Sequence, residues 1–175
     1  LADVGAHKLG EYPGTPRNDG SNIVDEKYNE SIFVGYRWTD KEKITPLFPF
    51  GHGLSYTSYK YGKAVIDKNI MGDDEVLTVT VPITNIGMRA GSEIVQMYIS
   101  DLKSSLPRPV KELKGFSKVS LEPGETKKVT FTINKEALSF FDDVRHEWIA
   151  EPGIFKAIIA ASATDIRSSV IFEYK

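Results

Sequence analysis

Residues 77–84 alternate without a break. Leu77, Val79, Val81 and Ile83 are apolar, and Thr78, Thr80, Pro82 and Thr84 fall between them. That period of two belongs to a strand with one face buried and one face in water. It recurs along the chain. Val95, Met97 and Ile99 lie on one face of a strand from Glu93 to Ser100, with Ile94, Gln96 and Tyr98 on the other. Val129, Phe131 and Ile133 alternate with Thr130 and Thr132. Further strands are expected over 113–119, 147–150, 155–161 and 168–174. Turn formers separate them at Asn85-Ile86-Gly87, Glu122-Pro123-Gly124-Glu125 and Glu151-Pro152-Gly153. Seven or so short strands with few long helical windows argue an all-β, antiparallel β-sandwich over residues 58–175. Pro82 cannot donate to a ladder, which predicts an edge position or a bulge there.

Residues 1–57 have another character. Tyr12-Pro13-Gly14-Thr15-Pro16-Arg17-Asn18-Asp19-Gly20 reads as a loop, and so does Pro46-Leu47-Phe48-Pro49-Phe50-Gly51-His52-Gly53-Leu54. Between them, Tyr28, Ile32, Phe33 and Tyr36 recur at helical spacing, while Ile32, Val34, Tyr36 and Trp38 alternate as in a strand. Periodicity leaves both open. The half also carries Phe33, Tyr36, Trp38, Phe48, Phe50 and Tyr56 with little regular structure to bury them. That many aromatics need a partner surface. It is supplied either by residues 58–175 or, in the favoured reading, by a domain outside this chain.

The boundary segment 46–57 resembles a boundary sequence of family 3 glycoside hydrolases. Val34-Gly35-Tyr36-Arg37-Trp38 resembles the element that precedes it there. Thr84-Asn85-Ile86-Gly87, Ala90 to Tyr98, Arg108 to Phe116, Leu121 to Glu125 and Glu151-Pro152-Gly153 are similar, in order and spacing, to that family's fibronectin type III-like domain. The similarity runs from about Tyr12 onward and leaves residues 1–10 unplaced. It implies an immunoglobulin/fibronectin III-like sandwich at 58–175, preceded at 1–57 by the loop-rich tail of an α/β sandwich domain. It further implies a parent enzyme, β-glucosidase- or β-xylosidase-like and retaining, that removes terminal β-linked sugars from oligosaccharides. The family's nucleophile and acid/base carboxylates come from upstream domains, so no catalytic residue is expected here. Tyr36, Arg37, Trp38, Phe48, Phe50, Gly51, His52, Gly53 and Tyr56 are then expected to form an interdomain seam. The expected partners are the N-terminal catalytic domains, which would hold the carbohydrate, and another copy of the chain once the seam is uncovered.

The residues themselves give no independent case for catalysis. Retaining hydrolysis needs two carboxylates facing each other at roughly 5–5.5 Å. Asp25-Glu26, Asp73-Asp74-Glu75 and Asp142-Asp143 sit in polar turns and read as solvated; Glu30 reads as structural. His7, His52 and His146 lack metal-ligand spacing, and Ser55 lacks a nucleophile-elbow context. No cofactor is expected. Arg37 either stacks or pairs in the seam or is an ordinary surface arginine. A net charge of −2, from 22 Lys+Arg and 24 Asp+Glu, gives no support for nucleic acid. The longest apolar runs, such as 157–161, are far short of the roughly 20 residues of a membrane span. With no Cys, the redox compartment stays open. A secreted or periplasmic parent is compatible with the resemblance. The chain opens on Leu1 with no signal-peptide pattern, which reads as a processed or excised piece. The competing functional class is a free-standing sandwich that binds carbohydrate or protein. Such a module has no use for a long aromatic leader. An exposed aromatic row would favour it, but Trp148 lies in a strand-like run and is expected in the core.

Overall fold

The computed structural model describes residues 15–16, 20–21, 24–25 and 30–175. Strands β1 (Thr15–Pro16) and β2 (Val24–Asp25) pair antiparallel, so part of the stretch read as loop is a short ladder. Readings that involve Tyr12, Tyr28, His7, Glu26 and residues 1–10 lie outside the described residues. Helix α1 follows at Tyr36–Glu42. Then come β3 (Tyr59–Tyr61), β4 (Val65–Ile66), β5 (Ile70–Met71), β6 (Leu77–Asn85), β7 (Gly91–Asp101), β8 (Glu112–Leu121) and β9 (Thr126–Ile133). Helix α2 (Lys135–Leu138), β10 (Phe140–Asp142), β11 (Glu147–Ile149), β12 (Gly153–Ala160) and β13 (Ile166–Tyr174) complete the chain. The chain divides between Phe50 and Gly51 into two compact units.

The second unit is the sandwich. One sheet has the order β5-β13-β12-β7-β8, and the other centres on β6, with β9 on one side and β3 and β4 on the other. All pairs are antiparallel except β5 beside β13, where Asn69 and Met71 carbonyls accept the N–H groups of Glu173 and Lys175. The alternation in β6 works as the sequence requires. Leu77, Val79, Val81 and Ile83 are fully buried, facing the core that Val95, Met97, Ile99, Phe155 and Phe172 fill from the other sheet. On the outer face the threonines pair across to β9, Thr80 with Thr130 at 2.9 Å and Thr84 with Thr126 at 2.8 Å.

Two expectations need correction. Pro82 sits neither at an edge nor at a bulge, since β6 keeps its register with β9 through Pro82 and Lys128. Its carbonyl accepts Gly62 N–H at 2.8 Å, at the break between β3 and β4. The missing N–H therefore points into that break, where no ladder partner is lost. Trp148 is not in the core. It stands on the short β10–β11 hairpin, 69% exposed, because that hairpin projects as a separate two-stranded ribbon.

A second polar layer locks the loop between β7 and β8. The Arg108 guanidinium reaches Asp101 at 3.2 Å, Glu112 at 2.7 Å and the Leu138 carbonyl at 2.9 Å. All three side chains are largely buried, a geometry in which the planar fork of arginine satisfies several acceptors at once.

Candidate functional site

In the first unit the chain turns at Gly35, whose φ of 57° suits glycine, and enters α1. Of the stretch where helix and strand were both open, residues 30–35 form neither, and a helix begins only at Tyr36, stopped by Lys43 in the left-handed conformation. Tyr36 and Arg37 are half-buried. Trp38 is buried, contrary to the expectation that it is stranded; Lys41 lies over the rings of Phe33 and Trp38 at 4.1 and 5.8 Å. Phe50 packs on Tyr36 with centroids 5.7 Å apart. Leu47, Phe48 and Phe50 are exposed, Phe48 by 70%.

In the second unit the boundary segment is tied at both ends and open between. At Gly51, φ is 83°, and a Cβ would meet the Gln96 amide at 2.0 Å. Gln96 cannot easily yield, since it is buried and its Oε1 accepts the Tyr98 hydroxyl. At the other end Thr57 donates to Asn85 Oδ1 at 2.7 Å. Asn85 is fully buried and fully used. Its Oδ1 also accepts Gly87 N–H at 3.0 Å, and its Nδ2 donates to the carbonyls of Arg89 and Leu121 at 2.7 and 3.1 Å. Between these ties His52, Gly53, Leu54 and Tyr56 are exposed, Tyr56 by 93%.

Beside the segment lies a cleft of about 410 Å³. It contains a polar cluster that sequence reasoning missed. Tyr61 on β3 donates to Glu93 on β7 at 2.7 Å. The Arg167 guanidinium of β13 lies 5.3 Å from the Tyr61 ring and binds Asp165 at 2.6 Å. Burial pushes both the Tyr61 phenol and the Glu93 carboxyl up from their ordinary values; for Glu93 the Tyr61 hydrogen bond and the Arg167 charge pull back against it. The signal was legible. Glu93 falls in phase with Val95, Met97 and Ile99, a carboxylate at an inward position. The cluster joins elements of both sheets, and its chemistry is that of a clasp.

The acids singled out in the sequence make structural contacts. Asp73 binds Lys135 and the Tyr174 hydroxyl, and Glu75 binds Gly72 N–H and Lys68. Asp142 accepts the N–H groups of Val144 and Arg145. Glu30 takes the Phe33 N–H through its backbone carbonyl. Among the described residues no cluster of His, Asp or Glu could hold a metal ion, and no helix is long and apolar enough to cross a membrane.

A model of the fibronectin type III-like domain matches residues 93–163. A β-glucosidase of Bacteroides ovatus, BoGH3A, is 52% identical over 99% of this chain and 23% of its own length. The similarity runs along nearly the whole chain and is consistent with the C-terminal part of a family 3 β-glucosidase. The thermostable β-glucosidase B of Acetivibrio thermocellus is 49% identical over 95% of the chain and 22% of its own length. The solved structure of β-glucosidase 3B from Thermotoga neapolitana in complex with glycerol superposes with a TM-score of 0.83 at 35% identity, over 98% of this chain and 22% of that one. The chain thus spans less than a quarter of the length of each of these relatives.

Proposed function

We propose that the chain is the non-catalytic C-terminal brace of a retaining glycosidase that removes terminal β-linked glucose or xylose from oligosaccharides. Residues 1–57 are the tail of its α/β sandwich domain, and 58–175 the fibronectin-like domain. The observation that carries this reading is the open apolar boundary. Leu47, Phe48 and Phe50 are exposed in the first unit, and Leu54 and Tyr56 in the second. Apolar surface contributes about 25 cal/mol per Å² when buried, so five such side chains favour a partner surface by several kcal/mol. The upstream catalytic domains are that partner, and Tyr36, Arg37, Trp38, Gly51, His52 and Gly53 frame the same seam. Carbohydrate is then read by those domains. Relatives that match the leader as well as the sandwich weigh against a free-standing binding module.

The test is reconstitution. The 175-residue chain alone hydrolyses no aryl β-glucoside or β-xyloside, and co-expression with the upstream domains gives active enzyme. Phe48→Ser together with Tyr56→Ser weakens that assembly. Turnover by the chain alone, abolished by Glu30→Ala, Asp142→Ala or Asp143→Ala, would overturn the reading.

A further inference from the structure

The β10–β11 hairpin carries an aromatic platform that neither the core nor the boundary segment uses. Phe141 and Trp148 are paired across it, with ring centroids 5.7 Å apart and planes at 66°. The edge-to-face contact fixes the indole. Asp142 closes the turn behind it through the N–H groups of Val144 and Arg145, at 2.9 and 3.0 Å. Trp148 is therefore held in place while most of it stays open to water.

Next to the indole is an open hollow of about 620 Å³, within the roughly 300–1,000 Å³ of small-molecule sites. Its other lining residues are Lys114 from β8, Thr132 from β9, and Asn134, Glu136 and Ala137 around the start of α2. The Asn134 Oδ1 caps α2 by accepting Ala137 N–H at 3.0 Å, which leaves its Nδ2 as a donor. Thr132 can donate and accept, and the Glu136 carboxylate accepts.

We propose that this hollow is a sugar-binding subsite, in which Trp148 stacks on a β-gluco-configured pyranose and Thr132, Asn134 and Glu136 take its hydroxyls. A pyranose with every ring hydroxyl equatorial has two apolar C–H faces, and its polar groups lie round the edge. A fixed indole bordered by donors and acceptors is the complement of that shape. A protein partner fits less well, because one indole with an edge-on phenyl ring is a small apolar area against the roughly 800 Å² per side of a stable interface. The stacking site rests on the hairpin alone; the choice of the β-gluco configuration rests on the proposed glycosidase function.

The chain reports on the site directly. It has two tryptophans, of which Trp38 is buried and Trp148 exposed, so added sugar changes the fluorescence of Trp148. The full 175-residue chain is titrated with cellotetraose, and with the α-linked maltotetraose as comparison. Cellotetraose is expected to give a saturable change with the tighter affinity. Trp148→Ala should weaken binding, read by calorimetry, by about tenfold or more, and Glu136→Gln severalfold, both with unchanged melting temperatures. Equal affinity of Trp148→Ala and the unaltered chain overturns the subsite. So does absence of sugar binding, and self-association that Trp148→Ala relieves would then make the indole a contact between copies of the chain. Equal affinity for the two tetraoses overturns the β-gluco assignment. Hydrolysis is measured on the reconstituted enzyme, so loss of the subsite and loss of the glycosidase reading are separate results.

Discussion

Asn85→Ala should be among the most damaging single changes in the sandwich. The side chain is fully buried and makes four hydrogen bonds, to Thr57 Oγ1, Gly87 N–H, and the carbonyls of Arg89 and Leu121. A net contribution of about 1 kcal/mol per bond gives an upper figure of about 4 kcal/mol. Some of that is recovered. Thr57 is half-buried and Arg89 exposed, so water can replace the amide there. Leu121 lies in buried surroundings, and its carbonyl loses the contact outright. The expected loss is about 3 kcal/mol, and for a unit of this size about 10 °C in melting temperature. Urea unfolding followed by circular dichroism measures it. Asn85→Asp keeps the acceptor and removes the donor, aiming a carboxylate at two carbonyls. It should be equally harmful at neutral pH and partly relieved in acid. A loss below about 1 kcal/mol for alanine, or none for aspartate, would refute the hub role.

Three further outcomes are expected. Glu93 carries a raised carboxyl in the folded chain, so the folded state holds its proton more tightly than the unfolded state. Its contribution to stability is then lost as pH rises through and above the ordinary value of 4.5. Glu93→Gln should gain on the unaltered chain as pH rises from the ordinary value of 4.5 through the raised folded one, and a stability difference that does not change with pH refutes this. Arg108→Ala leaves Asp101 and Glu112 as largely buried carboxylates without their cation. It should cost about 3–5 kcal/mol in denaturant unfolding, and Arg108→Lys should recover only part. A chain cut to residues 51–175 should melt like the full chain. One cut to 58–175 should melt lower, because it loses the Thr57 bond to Asn85 and the cover of Gly51 on Gln96; equal melting of the two would show that the boundary segment adds nothing.

The sequence by itself determined the sandwich. Alternation at 77–83 and 129–133 leaves a strand only one way to face a core, the short apolar run at 157–161 marks a strand buried on both faces, and the Pro-Gly turns at 123–124 and 152–153 separate strands. It also marked the boundary segment, because aromatics among prolines and glycines cannot be buried by regular structure nearby. Tertiary structure decided the rest. Periodicity could not choose between helix and strand near Tyr36; the structure starts a helix only there, after the positive-φ Gly35. A proline in a strand normally signals an edge, yet Pro82 is central because its neighbouring strand breaks opposite it. Trp148 looked like a core residue, since a strand pattern is the same on a projecting ribbon as in a packed sheet. The Glu93–Tyr61–Arg167 cluster, and the Asn85 bonds to Thr57 and Leu121, join residues 28 or more positions apart. Only pairing register and the crossing of the chain bring such groups within hydrogen-bond reach, and a local pattern holds no record of either.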